Sequence, residues 1–141
     1  MKSNIIIALT LLLSVATTSQ AQVINNEKTC SKTFLYEKDI PWEPAEQGVV
    51  RKVMGYDGQL MLVKVKFIKG AKGAEHKHYH TQSTYVASGK FEFTINGEKK
   101  IVEAGDGLYI APDAIHSCVC LEAGMLIDSF SPMRESFIKK K

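Results

Sequence analysis

Cysteine is scarce in this chain, with Cys30, Cys118 and Cys120 the only three in 141 residues. An odd count leaves at least one thiol unpaired or joined to another molecule, so no closed disulfide framework holds the fold. Cys118 and Cys120 stand two apart, on one face of a strand, a poor geometry for bonding each other. Both read as buried thiols, with Cys30 free near the N-terminus. A charge excess is missing too: 18 Lys and Arg against 15 Asp and Glu carry no nucleic-acid message. Lys139-Lys140-Lys141 reads as a solvated tail. No apolar run reaches the roughly 20 residues that a bilayer span needs. The longest, Ile5 to Ala16, follows Lys2 and precedes Thr17-Thr18-Ser19-Gln20-Ala21. That order is a secretory signal, residues 1–21, with cleavage after Ala21 and no cysteine there to take a lipid. The mature chain is expected to start at Gln22, outside the cytoplasm and in the periplasm, with no stable membrane insertion. Linkers, repeats, low-complexity segments and long amphipathic helices are all absent from it.

What remains is about 120 residues of strand-like pattern, enough for one domain with one core. Residues 22–39 form a polar lead. Ile40-Pro41-Trp42-Glu43-Pro44 is kept extended by its prolines. Leu60 to Phe67 ends in alternation, with Val63, Val65 and Phe67 inward and Lys64 and Lys66 outward. Thr84 to Ala87 reads as a strand, Ser88-Gly89-Lys90 as a turn, and Phe91 to Ile95 as the next strand. Asn96-Gly97 is a strong hairpin signal, with Lys99 to Val102 pairing back. Ala104 to Gly107 turns the chain into Leu108-Tyr109-Ile110. Ser117 to Leu121 and Met125 to Phe130 complete the set, separated by Glu122-Ala123-Gly124. Short strands with turns every eight to twelve residues predict an all-β sandwich or barrel over residues 40–138.

Histidine is the concentrated residue. Three of four fall within five positions, His76, His78 and His80, and the fourth is His116. On a strand, positions i and i+2 face the same way, so His76 and His78 form half of a chelate. His116 lies on a distant strand, and Gln82 begins the strand after the cluster. His80 falls where the chain turns a corner, which leaves it either beside the site or on the surface.

These residues resemble the cupins, small double-stranded β-helix (jelly-roll) barrels, and the resemblance implies a metal set of three imidazole nitrogens and one amide oxygen, suited to zinc, nickel, manganese and iron alike. The first cupin motif, G-x5-H-x-H-x3,4-E-x6-G, is matched by Gly70, His76, His78, Gln82 and Gly89, with Gln for Glu. The second, G-x5-P-x-G-x2-H, is matched by Gly105, Ala111, Asp113 and His116, with Pro and Gly replaced. The resemblance covers Leu60 to Phe130. It implies a single divalent metal ion held by His76, His78, Gln82 and His116. Gln for Glu leaves the metal its full charge, favouring a Lewis acid over an oxygen-activating iron site.

A narrower resemblance covers Ile40 to Phe137. Asp128-Ser129-Phe130-Ser131-Pro132-Met133-Arg134-Glu135-Ser136-Phe137 is similar to the D-x-F-S-P-x-R-x-x-F tail of the pectin-degradation (KdgF-type) cupins. Trp42, Gly48 to Arg51 and Gly55-Tyr56-Asp57 resemble the same family, as does His76-x-His78-x-His80-Thr81-Gln82. The Gln is expected in this subgroup. The resemblance implies linearisation of 4,5-unsaturated monouronates, small sugar acids released by polysaccharide lyases. Asp128 would move protons, Arg134 would clamp the substrate carboxylate, and Phe130 would wall the pocket. Taken singly, Asp128 also reads as a turn former, Arg134 as a surface ion pair and Phe130 as core. A homodimer follows from family habit. The other readings are a non-catalytic sugar- or metal-binding cupin and an iron dioxygenase.

Overall fold

A computed structural model describes residues 30–138. The signal segment and the Lys139–Lys141 tail fall outside the described residues. Eight strands appear in chain order: β1 Glu43–Glu46, β2 Val49–Tyr56, β3 Met61–Phe67, β4 Lys72–His76, β5 Thr81–Ile95, β6 Glu98–Glu103, β7 Gly107–Ile110 and β8 His116–Ser131. Single 3-10 turns at Glu37–Asp39 and Glu135–Phe137 are the only helical pieces among the described residues. The expected all-β jelly roll is the architecture found.

The long antiparallel ladder between β5 and β8 runs from Thr81↔Ser131 to Ile95↔His116 and belongs to both sheets. Its first half continues through β3, β2 and β1 on one side and meets β7 on the other. Its second half is flanked by β6 and β4. Sharing one bent ladder between two sheets closes the sandwich without a separate connection.

Two sequence expectations need correction at that bend. Ser88-Gly89-Lys90 is not a turn between strands, and Glu122-Ala123-Gly124 does not end one. Each segment lies inside a continuous strand, and the ladder shifts register between Val86 and Phe91. Gly89 has φ +84, and a Cβ there would stand 2.6 Å from the Cα of Gly124. A Cβ on Gly124 would meet the Ser88 carbonyl. The two backbones cross where no side chain fits, and the bend needs glycine on both strands. The bulge also switches β5's inward residues from Gln82, Thr84 and Val86 to Phe91 and Phe93.

The Asn96-Gly97 hairpin forms as expected, with φ of 48 and 85 at its two corner residues. Strand β2 was not read from sequence, and β4 only through the strand reading of His76 and His78. Inside the sandwich, Val49, Phe67, Val86, Phe91, Phe93, Cys118, Cys120 and Leu126 pack as one apolar cluster. Met61, Val63 and Phe130 form a second. All three cysteines are free thiols, with Cys118 and Cys120 buried and Cys30 exposed. Burial pushes the Cys118 thiol up to about 12, which makes it an inert packing group.

Candidate functional site

Register builds the histidine centre. His76 ends β4 directly opposite His116, the first residue of β8. His78 lies beyond the strand, so alternation along β4 does not explain its direction. Instead its carbonyl accepts the Asp113 amide, and its Nδ1 lies 3.2 Å from the His80 carbonyl. The three rings gather with centroids 4.2 to 5.6 Å apart. One nitrogen from each of His76, His78 and His116 lies within 4.8 Å of the others, as a shared metal ion requires.

The imidazoles are oriented for that task. Nδ1 of His76 donates to the Ala74 carbonyl, and Nδ1 of His116 to the Ala114 carbonyl, both at 2.8 Å. Each bond places the hydrogen on Nδ1 and leaves the Nε2 lone pair facing inward. Nε2 of His116 is buried with no hydrogen-bond partner. Burial lowers the His116 pKa to about 4, so the ring is neutral at neutral pH, as a ligand must be. His78 is also lowered, first by burial and then by the Arg134 charge. In the neutral His78 ring only one nitrogen carries hydrogen, yet both face oxygens. Gln82 Oε1 lies 3.0 Å from Nε2, opposite the nitrogen tethered to His80. A neutral His78 therefore cannot donate to both oxygens, and a cation beside Nε2 would satisfy the Nε2 and Gln82 Oε1 lone pairs together. The donor set fits a divalent metal ion.

Gln82 enters from the first turn of the β5–β8 ladder and is aimed by its neighbours. Its amide Nε2 donates to Thr84 Oγ1 at 3.0 Å, and the Thr84 hydroxyl donates to Asp128 Oδ1 at 2.6 Å. Thr84 and Asp128 are cross-strand partners, as are Gln82 and Phe130. A four-residue chain thus runs from His78 through Gln82 and Thr84 to Asp128. Glutamate at position 82 has no hydrogen to offer Thr84, which makes glutamine the residue this network demands. Asp128 is buried within β8 rather than forming a turn. Burial raises its pKa to about 6, against the opposing hydrogen bond from Thr84 and the charge of Arg134.

The opposite wall comes from the C-terminal tail. Phe130 is buried and meets His78 edge-on at 5.6 Å. Phe137 packs edge-on against Phe130 at 5.8 Å. The Arg134 guanidinium lies 4.5 Å from the Phe137 ring centre and makes no ion pair among the described residues. Tyr79 donates to the Glu135 carboxylate at 2.8 Å, and His80 Nε2 lies 3.4 Å from it. His80 is therefore buried and fastens the tail. A cavity of about 340 Å³ opens among these parts, lined by His76, Gln82, His116, Asp128, Phe130 and Arg134. That is the size of a small-molecule site.

The structure brings all seven sequence-predicted residues to one place, six on the cavity wall and His78 in the metal cluster. Sequence reasoning missed Thr84, although alternation from Gln82 puts it on the same face. It quoted Arg51 and Phe137 as positions of the family resemblance but gave them no role, because β2 was not read as a strand and the tail's path is tertiary.

The cupin-domain family model matches residues 63–127. The pectin degradation protein KdgF of Dickeya dadantii is 42% identical over 109 residues, covering 76% of this chain and 99% of that protein. Among solved structures, an RmlC-like cupin from Shewanella frigidimarina superposes with a TM-score of 0.75 at 38% identity, covering 77% of this chain and 98% of that one. KdgF from Halomonas sp. gives a TM-score of 0.73 at 35% identity, covering 77% and 100%. With near-complete overlap at this identity, the chain belongs to the KdgF family of cupins.

Proposed function

We propose that the protein is a metal-dependent enzyme that opens and ketonises the ring of 4,5-unsaturated monouronates. The observation that carries this reading is Asp128, a buried carboxyl tied through Thr84 to Gln82 and sharing a cavity with Arg134. Its raised pKa, about 6, suits a group that both takes and returns protons near neutrality. His76, His78, Gln82 and His116 would hold the metal ion. Bound there, it would supply Lewis-acid polarisation of substrate oxygens.

The reaction is an isomerisation. The hemiacetal hydroxyl loses its proton, the bond from the anomeric carbon to the ring oxygen breaks with its electron pair going to that oxygen, and an aldehyde and an enolate result. The enolate then takes a proton at the far carbon of the old double bond and becomes a ketone. Asp128 accepts the first proton and returns one, worth typically 10²–10⁴-fold in rate. Arg134 binds the sugar carboxylate through its planar fork. Phe130 keeps water from that face.

NMR of an unsaturated monouronate with zinc-, nickel-, manganese- or iron-loaded protein tests the proposal. Loss of ring-form signal faster than in buffer is expected, and Asp128→Ala should abolish the acceleration with metal content unchanged. A sugar that binds without reacting would make this a binding module. Iron-dependent oxygen consumption would make it a dioxygenase. Export to the periplasm and a homodimer complete the proposal. Among the described residues β1 ends the strand order, the place where a second copy would add its own strand. Light scattering and cell fractionation check both.

A further inference from the structure

We propose that Arg51 is a second carboxylate-binding residue, acting with Arg134 as a two-guanidinium clamp that makes the site selective for uronic acids over neutral sugars. This inference rests on the uronate reading of the same cavity.

Arg51 occupies an unusual position. On β2 the inward residues are Val49, Arg51 and Val53, and the valines pack into the two apolar clusters. A guanidinium between them is costly unless something pairs with it. Arg51 lines the same cavity as His116, Gln82, Asp128 and Arg134. Its Nε is buried and lacks a hydrogen-bond partner. No carboxylate lies within ion-pair distance of either arginine among the described residues.

Both guanidiniums also rest on one ring. The Arg51 carbon stands 3.8 Å from the Phe137 centre and the Arg134 carbon 4.5 Å from it. Two positive charges gathered on one side chain repel, and the Arg51 charge contributes, after burial, to lowering the Arg134 pKa. Stacking on Phe137 offsets part of that cost. An anion between the two forks removes the rest, and each fork matches a carboxylate in two parallel hydrogen bonds. With both forks on one ring, the proposed carboxylate sits at that ring's edge between them. A neutral sugar would leave buried donors unpaired, the strongest form of discrimination that a polar site achieves.

Calorimetry on metal-loaded Asp128→Ala protein tests this with two probes, the unsaturated monouronate and its methyl ester, which lacks the charge and adds one methyl group. The acid is expected to bind at least about tenfold tighter than the ester. Adding Arg51→Met, which keeps an apolar stem against Phe137, should weaken the acid about 10–100-fold and leave the ester within twofold. Arg51→Lys, which keeps stem and charge but not the fork, should fall between. In otherwise wild-type protein, Arg51→Met should raise KM while kcat stays within a few-fold. Equal loss for acid and ester overturns the clamp, as does acid affinity within twofold of the parent. Should Arg51→Met fail to fold, unchanged acid binding by Arg51→Lys overturns the fork. Arg51-dependent acid binding without linearisation would sink the catalytic reading and keep this one. Linearisation with no Arg51 dependence would do the reverse.

Discussion

Beyond the Gly89–Gly124 bend, the β5–β8 ladder sets Phe91 opposite Cys120 and Phe93 opposite Cys118. Before it, the same ladder sets Thr84 opposite Asp128 and Gln82 opposite Phe130. The inward face is buried in both halves, yet one is apolar as far as His116 at its end and the other carries an acid, an amide and a hydroxyl. Polar side chains survive burial only where each finds a partner. In the polar half that condition is met by a chain of hydrogen bonds ending at Asp128, whose carboxyl is held part-way to neutrality by its surroundings. One half keeps the fold and the other uses it.

Truncating the apolar half should show the contrast at its largest. Phe91 is fully buried, and Phe91→Ala should cost about 3–5 kcal/mol in urea unfolding. Zinc affinity, measured by chelator competition under native conditions, should stay within a few-fold, because Phe91 packs in the apolar cluster and does not line the site cavity. A loss under about 1 kcal/mol would mean that the core lies elsewhere.

The polar half should respond with the opposite sign. A carboxyl whose folded pKa is raised from 3.8 to about 6 favours the neutral form. Stability therefore falls as pH climbs from about 4 through 6 and stays flat above. Asp128→Asn has no charge to desolvate. In metal-free protein it should gain up to about 3 kcal/mol at pH 7.5 and nothing near pH 4. A pH-independent difference between the two proteins would contradict the burial argument.

The smallest of the three effects lies between the two. Thr84→Val is nearly isosteric but takes the hydroxyl from both Gln82 and Asp128. Partners that orient metal ligands are typically worth 10–100-fold in affinity, and zinc binding should weaken by that much, with recovery in Thr84→Ser. Unaltered zinc affinity in Thr84→Val would show that Gln82 needs no such guide.

The histidine centre was legible because a spacing along the chain is local information, and jelly-roll register then brings His116 opposite His76. The Asn96-Gly97 hairpin was legible because positive φ at two successive positions has a short residue signature. The bend was misread for a related reason. Gly89 and Gly124 look like turn formers, and only their meeting across the ladder reveals two strands continuing through a crossing. Likewise, a strand-face argument placed His78 correctly beside His76 for a reason that does not apply, since His78 lies past the end of β4. Arg51 stayed hidden because its neighbours Val49 and Val53 become informative only once β2 is seen to be a strand. Phe137 stayed hidden because its role needs the tail folded back over the sheet.

The fastening of the tail has one more consequence. Tyr79 and His80 follow His78 directly, and both grip Glu135, the residue after Arg134. Each contact is exposed on the Glu135 side and weak alone. Together they tie the loop that orients a metal ligand to the segment that carries the carboxylate clamp. The entropy of ordering that segment is lost when the chain folds, not when a sugar arrives. A small ligand with few atoms to contribute therefore meets a site already rigid at both of its ends.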